Sequence, residues 1–278
     1  MNKIISIIAL LLILPIFKVE AYDFVIDEIT YNFTKEHGTV EVSGLREFLN
    51  LEPGDRNSSL PLVVNIPPVV TYKDNKYDVV SIGYAAFQGC RKVTEIKIPS
   101  TVREIGEFAF ENCSKLEIIN IPDSVKMIGR CTFSGCTDLE SISIQNNKLR
   151  IGGSLFYNCS GLKKVIYGSV IVPEKTFYGC SSLTEVKLLD SVKFIGEEAF
   201  ESCTSLVSID LPYLVEEIGK RSFRGCTSLS NINFPLSLRK IGANAFQGCI
   251  NLKKVELPKR LEQYRYDFED TTKFKWIK

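Results

Sequence analysis

The chain has 278 residues, of which 45% are apolar and 24% charged, an ordinary balance that excludes a disordered chain and supplies enough apolar side chains for a long core. A formal net charge of +1 gives phosphate backbones and anionic bilayers nothing to grip, so nucleic-acid binding and electrostatic membrane attachment are excluded as primary roles.

The N-terminus reads as a leader. Lys3 supplies a positive start, Ile4 to Leu14 is apolar apart from Ser6, and Val19-Glu20-Ala21 fits a signal-peptidase site. The apolar run is shorter than the ~20 residues that span a bilayer, so residues 1–21 are expected to be cleaved after Ala21. The mature chain is then formally neutral, carries no transmembrane anchor, and is secreted or held at the cell surface. Residues 22–59 are expected to be an N-terminal cap. Phe24 to Asp27 and Ile29 to Phe33 alternate or cluster β formers, and residues 50–59, rich in Pro, Gly, Asp, Asn and Ser, read as a loop. The segment Thr71 to Tyr77 has turn formers flanked by β formers and predicts a small hairpin.

From residue 60 to 258 the chain repeats. Cysteines stand at 90, 113, 136, 159, 180, 203, 226 and 249, in steps of 23 except for one of 21. Each has Phe three residues before it, Leu or Val three after, and Ile or Val six after. The unit reads I-G-x-x-A-F-x-x-C-x-x-L-x-x-I-x-L-P. In Leu206 to Leu211, Ile209 and Leu211 alternate with Asp210, which predicts a short strand with one buried face, and Pro212 suits its end. In Ile195 to Cys203 the apolar residues fall at helical spacing, which predicts one or two helical turns. The glycine of I-G is expected to relax the backbone where the chain bends into that turn. One unit cannot bury its apolar face alone, so about nine 23-residue repeats stack into a continuous core. The expected fold is an α/β repeat solenoid, a right-handed superhelix with a parallel β-sheet on one face and short helical turns on the other.

This repeat resembles the BspA-like, treponemal-type class of leucine-rich repeats over about residues 60–277. The resemblance implies a secreted or surface-exposed protein. Some members of that class act as adhesins for host proteins. It implies no enzymatic activity and carries over no fixed binding residues.

Two stretches depart from the pattern. In the fourth repeat Ile166 stands at an outward position, Tyr167 at an inward one, Gly168 replaces Pro, and the step of 21 follows. Drift of the repeat and a bend or ligand contact both account for this. At the end, residues 259–278 read as a degenerate final repeat and cap. Phe268, Thr271, Phe274 and Ile277 keep the F/C/L/I spacing, with Thr271 in the cysteine slot and Trp276 half-exposed.

The residues for catalysis are not assembled. His37, the sole histidine, sits beside Gly38 in the cap and is expected to be a solvated loop residue. Glu197-Glu198 and Glu216-Glu217 are candidates for paired-carboxylate glycosidase chemistry, but they recur with the repeat and are expected to be solvated turn residues. No phosphate-binding or dinucleotide-binding glycine motif is present, and no cofactor is expected. Thiolate metal sites use closely spaced cysteines, which a 23-residue period does not offer. Equivalent residues on adjacent coils stand near 4.8 Å apart, wider than the ~3.8 Å a disulfide prefers between Cβ atoms. The eight repeat cysteines are therefore expected as a ladder of buried free thiols, and Cys131, outside the ladder, as partly exposed. Sequons at Asn32, Asn57, Asn112 and Asn158 matter only in a glycosylating host.

The residues flanking each central Ile or Val must point away from the core. They form two columns whose candidate binding positions are Glu95, Lys97, Ile118, Asn120, Lys164, Ile166, Glu185, Lys187, Asp210, Asn233, Lys254 and Glu256. Sheet faces of solenoids commonly serve as binding surfaces. The expected function is a protein-binding scaffold, an adhesin for a host surface or matrix protein. Self-assembly into an envelope or extracellular structure is the second reading, and carbohydrate binding, with no aromatic in the columns to stack on sugars, the third.

Overall fold

The computed structural model describes residues 22–45 and 62–277, so the leader, its cleavage site, the loop at 50–59 and the Asn57 sequon lie outside the described residues. The repeats wind into a β-solenoid. Each period-two stretch forms a strand with its central residue buried, as in Ser208–Asp210, where Ile209 lies between exposed Ser208 and Asp210. Equivalent residues then stack in parallel register, Ile209 opposite Ile232 and Val165 opposite both Ile142 and Val186. The strands Ser141–Ile144, Lys164–Tyr167, Glu185–Leu188, Ser208–Asp210 and Asn231–Asn233 make one continuous sheet. Ladders also join Leu62–Asn65, Val93–Lys97 and Ile118–Ile119, and join Lys254–Pro258 to Lys273–Ile277.

A corner follows each long strand, and a two-residue strand then forms a second ladder. Glu104–Ile105, Met127–Ile128 and Arg150–Ile151 stack in one run, and Ile171–Val172, Phe194–Ile195, Glu217–Ile218 and Lys240–Ile241 in another. The first run continues into the N-terminal strands. Phe24–Ile26, Ile29–Phe33 and Thr39–Leu45 are antiparallel, and Thr39–Leu45 pairs in parallel with Asn75–Ile82. Val69–Tyr72 and Asn75–Ile82 form the expected hairpin, closed by Lys73 and Asp74 at φ of 48° and 63°, the left-handed pair of a type I′ turn. Phe24 stacks on Tyr72 with centroids 4.4 Å apart and on Tyr31 at 5.4 Å, covering the first coil with aromatic rings.

The segments expected to be helical are runs of turns instead. The residue five before each repeat cysteine has positive φ whatever its type: Ala85, Phe108, Cys131, Ser154, Lys175, Glu198, Arg221 and Asn244. The residue just before the cysteine has it too, as Gly89, Asn112, Gly135, Asn158, Gly179, Ser202, Gly225 and Gly248. Two left-handed residues per coil interrupt a right-handed helix. The N–H groups that a helix would turn back on itself go to the next coil: Ala85 N donates to the Glu107 carbonyl at 2.9 Å, Phe87 N to Ala109 at 2.7 Å, and Gly89 N to Glu111 at 2.7 Å. The helical face is thus a third set of rungs between coils. Among the described residues the helical element is the 3-10 helix Lys259–Asp267.

That helix ends the stack. Asp267 accepts from Phe246 N through its carbonyl and from Asn244 N through its carboxylate, both at 2.9 Å, and the Glu269 carboxylate accepts from Gly248 N at 2.5 Å. These groups satisfy the N–H donors that a further coil would have taken. Phe268 stacks on Phe246 at 4.5 Å, as the spacing predicts. The register beyond it differs from expectation. Phe274 lies opposite Val255 and Trp276 opposite Leu257. Thr271 is exposed, and Thr272 is the buried residue, its hydroxyl donating to the Leu252 carbonyl at 2.8 Å. The strand begins five positions after Phe268, against eight between Phe246 and Lys254, so it starts earlier.

The I-G glycines also have a different cause from the one expected. Gly106 has no positive φ, but a Cβ there would stand 2.7 Å from the carbonyl carbon of Gly83 and 2.8 Å from Tyr84 N. The glycines let adjacent coils touch, backbone against backbone. Gly106→Ala is expected to lower stability by about 1–3 kcal/mol in denaturant unfolding, the usual cost of overpacking. Gly89→Asn is expected to stay within about 0.5 kcal/mol, because Gly89 has open space, its φ is 72°, and Asn112 and Asn158 hold the equivalent position.

Candidate functional site

The interior repeats one arrangement in every coil. The phenylalanine rings from Phe87 to Phe246 stack in a row, with centroids 5.4 Å apart at Phe110 and Phe133 and 5.2 Å at Phe200 and Phe223. Eight free cysteines run beside them, all buried, as the ladder reading expects. The sequence did not reveal their bonding. Cys113 Sγ donates to the Phe87 carbonyl at 3.0 Å, and Cys136, Cys159, Cys180, Cys203, Cys226 and Cys249 repeat this bond to the phenylalanine of the coil before at 3.0–3.3 Å. Cysteine therefore fits as a small apolar group with one weak donor. Burial pushes the Cys113 and Cys159 thiols up to about 12 and raises those of Cys90, Cys136, Cys180, Cys203 and Cys226 well above their ordinary value. These are inert structural thiols. Cys131 is partly exposed at the surface of the turn segment.

Three of the four candidate carboxylates, Glu197, Glu198 and Glu217, are ion-paired. Glu198 is not the solvated turn residue expected. Its side chain is 14% exposed, between Lys175 at 3.4 Å and Arg221 at 3.5 Å from the coils on either side. Glu217 lies in a short strand opposite Lys240 and pairs with it at 3.5 Å. Glu197 and Glu217 stand at different phases of the repeat, six and nine residues before their cysteines. His37 is exposed.

The sheet-face candidates all lie on the outward side. Lys97, Ile118, Asn120, Lys164, Glu185, Lys187, Asp210, Asn233, Lys254 and Glu256 are exposed, and Glu95 and Ile166 half-buried. Register brings Glu95 opposite Ile118, Lys164 opposite Glu185, Lys187 opposite Ile166 and Asp210, and Asp210 opposite Asn233. Lys273 and Lys275 extend the columns at the C-terminal end, opposite Lys254 and Glu256. Their alternation with Phe274 and Trp276 was a signal for this.

Several of these side chains are already engaged. Lys164 pairs with Glu185 at 2.8 Å, Glu256 with Lys275 at 2.6 Å and Lys97 with Glu95 at 3.7 Å. Asn233 clasps the neighbouring coil. Its Oδ1 accepts from Leu211 N at 2.6 Å and its Nδ2 donates to the Leu211 carbonyl at 3.0 Å. Ile118, at 57% exposed, is the largest apolar surface of the columns.

A family model described as the BspA type leucine-rich repeat region matches residues 71–172 and 170–277 in six copies. A leucine-rich repeat protein from Bacteroides ovatus is 63% identical, with 92% of this chain and 100% of that chain covered and a TM-score of 0.51. The leucine-rich repeat protein of Treponema pallidum is 25% identical over 90% of this chain and 100% of its own, with a TM-score of 0.58. A leucine-rich cell surface protein from Faecalibacterium prausnitzii shares the fold at 20% identity, over 91% of this chain and 94% of its own, with a TM-score of 0.52. No curated protein matches the chain.

Thiol chemistry tests the interior. A maleimide is expected to label Cys131 alone in the folded chain and all nine cysteines after unfolding. The raised thiols bind their protons more tightly folded than unfolded, so the stability they contribute is whole below their ordinary value of 9.0 and is lost as pH rises above it. The loss is about 1.4 kcal/mol per thiol per pH unit. Circular dichroism against pH should show cooperative alkaline unfolding.

Proposed function

The chain belongs to the BspA type leucine-rich repeat family, and we propose that it is a secreted or cell-surface scaffold that binds a protein through its outward sheet face, as an adhesin for a host surface or matrix protein. The observation that carries the reading is the pair of outward columns, in which Lys187, Asp210 and Lys254 project without an ion-pair partner among the described residues, and Ile118 projects as an exposed apolar side chain. A stacked sheet of this kind lets several strands meet one partner at once. The leader at residues 1–21 supports export. The repeat units serve as framework rather than catalyst: their buried thiols are inert, and Glu197, Glu198 and Glu217 are tied to cations.

The second reading, self-assembly through the end coils, has less support. The C-terminal end is closed by the carboxylates of Asp267 and Glu269, and its last strand carries Lys273 and Lys275. Lysines on an edge strand oppose pairing with another copy.

A cross-linking pull-down tests the proposal. The chain is exposed to cell-surface extract and matrix proteins beside a variant with Lys97, Ile118, Lys164, Ile166 and Lys187 all changed to Ser. The expected result is a protein retained by the native chain and lost by the variant, with the two melting within a few degrees of each other. Retention by both moves the site off this face. Retention by neither, with light scattering that grows with concentration, replaces adhesion with self-assembly.

A further inference from the structure

One slot of the repeat breaks its own pattern. Two residues before the cysteine stand Gln88, Glu111, Ser134, Glu201, Arg224 and Gln247, all polar, but Cys159 and Cys180 have Tyr157 and Tyr178 there. Stacking of the coils brings these two rings together, with centroids 4.8 Å apart and planes 12° apart. That is closer than the buried phenylalanines from Phe87 to Phe246, at 5.1–5.6 Å. Among the described residues no other two tyrosines are in ring contact. The backbone beside the rings is pinned. Phe156 N donates to the Thr176 carbonyl at 2.8 Å, and Asn158 N to the Tyr178 carbonyl at 2.7 Å. Both tyrosines are half-buried, so water and small solutes reach them.

The pair straddles the irregular interface of the array. The step from Cys159 to Cys180 is two residues shorter than the 23-residue period. On the long sheet nothing is lost, since Lys164–Tyr167 pairs with both neighbours. The second ladder stops at Arg150–Ile151 and restarts at Ile171–Val172. In neighbouring coils a glycine follows the short strand and donates its N–H to the coil before: Gly152 to the Ile128 carbonyl at 2.9 Å, and Gly196 to Val172 at 2.7 Å. Pro173 holds that slot here and has no N–H, so this interface lacks the rung. Tyr157 and Tyr178 thus face each other across the contact that has one backbone bond fewer than its neighbours.

Phenols give up an electron and a proton to one-electron oxidants, and two phenoxyl radicals join through the ring carbons beside their oxygens. Coupling needs the rings to meet. Here the solenoid holds them in contact, which replaces a collision between molecules by a step within one. Tyr84, Tyr213 and Tyr266 are more open to an oxidant, at 72%, 65% and 82% exposed. None of them is in ring contact with another tyrosine among the described residues, so their radicals couple only between molecules.

We propose that Tyr157 and Tyr178 form a modification site, an oxidative cross-link that staples the interface lacking a rung, made by a peroxide acting through a one-electron oxidant of the peroxidase class. Each ring loses one electron and its phenolic proton, which passes to water. A carbon–carbon bond then forms between a Cε of one ring and a Cε of the other. The hydrogen on each of these carbons moves to the adjacent oxygen as the rings regain aromaticity. The pair loses two hydrogen atoms in all, and one peroxide is reduced to two waters. The product is a dityrosine within one chain, closing the loop from 157 to 178.

The test treats the dilute folded chain with hydrogen peroxide and a haem peroxidase. The monomer is isolated, its cysteines are reduced and alkylated to remove any disulfide, and a tryptic digest is weighed by mass spectrometry. The expected product is peptide 151–163 joined to peptide 176–187, two hydrogens lighter than their sum, with dityrosine fluorescence in the monomer. Tyr157→Phe and Tyr178→Phe keep the stacked rings and remove one phenol. Each should lose the monomer's dityrosine signal at least about tenfold, the advantage of coupling in place, while melting within about 2 °C of the native chain. Oxidation should raise the melting temperature of the native chain by about 5–10 °C, because the closed loop constrains the unfolded chain, and leave both variants where they were. Dityrosine confined to dimers and larger species overturns the proposal, and so does equal monomer signal from either variant. A cross-linked monomer that melts no higher than the untreated chain overturns the staple. The readout is a covalent bond within one chain, so its outcome is independent of whether the sheet face binds a partner.

Discussion

Coils one strand-spacing apart constrain every side chain in this molecule. Backbone rungs hold neighbouring strands about 4.8 Å apart, and each inward residue meets its own equivalent above and below. Rings can sit at that repeat only if they stack, and the phenylalanines do so at 5.1–5.6 Å from Phe87 to Phe246. A residue beside the rings must be small, apolar and free of an unpaired strong donor. Cysteine meets that demand, and its thiol finds the phenylalanine carbonyl one coil back. Where backbone meets backbone, as at Gly106, not even a Cβ fits.

The sequence made the strands legible because period two has one structural meaning beside a turn. Ile209 between Ser208 and Asp210 is buried as expected, and so are the eight repeat cysteines. The helical reading of Ile195 to Cys203 failed for a physical reason. Apolar residues at i, i+4, i+5 and i+8 lie on one side of a helix, but they also lie on the inner side of a tight coil whose rungs run to its neighbours. Two left-handed residues per coil separate these cases, and positions occupied by Phe108, Lys175 or Arg221 carry no sequence signal for positive φ. The glycine before them fits a bend and a close approach equally, since composition does not distinguish the two.

The candidate face was legible as a set of positions and not as a set of free groups. Alternation placed Lys164, Glu185, Asp210 and Asn233 outward, where the structure has them. It did not show that Lys164 and Glu185 neutralise each other or that Asn233 holds Leu211. Exposed ion pairs contribute little to stability, about 0–1 kcal/mol, so a partner can displace Glu185 from Lys164 at small cost. The clasp of Asn233 is different, since releasing it uncovers two backbone groups of the coil before. Recognition on this face should therefore rest on Ile118, Lys187 and Asp210 more than on the asparagine.

Regularity itself gives the short coil its meaning. In a stacked array stability is close to a sum of unit and neighbour terms, so a missing rung weakens one interface and leaves the others intact. Random drift at Pro173 would cost that rung and gain nothing. Yet the same coil carries Ser169, whose hydroxyl serves the Leu149 carbonyl, and Tyr167, whose hydroxyl serves Ile171. Buried donors without acceptors cost about 1–3 kcal/mol, and here both find one. The short corner is consistent within itself, and the one rung it lacks is the N–H that Pro173 cannot give to the Ile151 carbonyl. A coil can therefore lose a rung and two residues while its interior bonds and its place in the long sheet are kept.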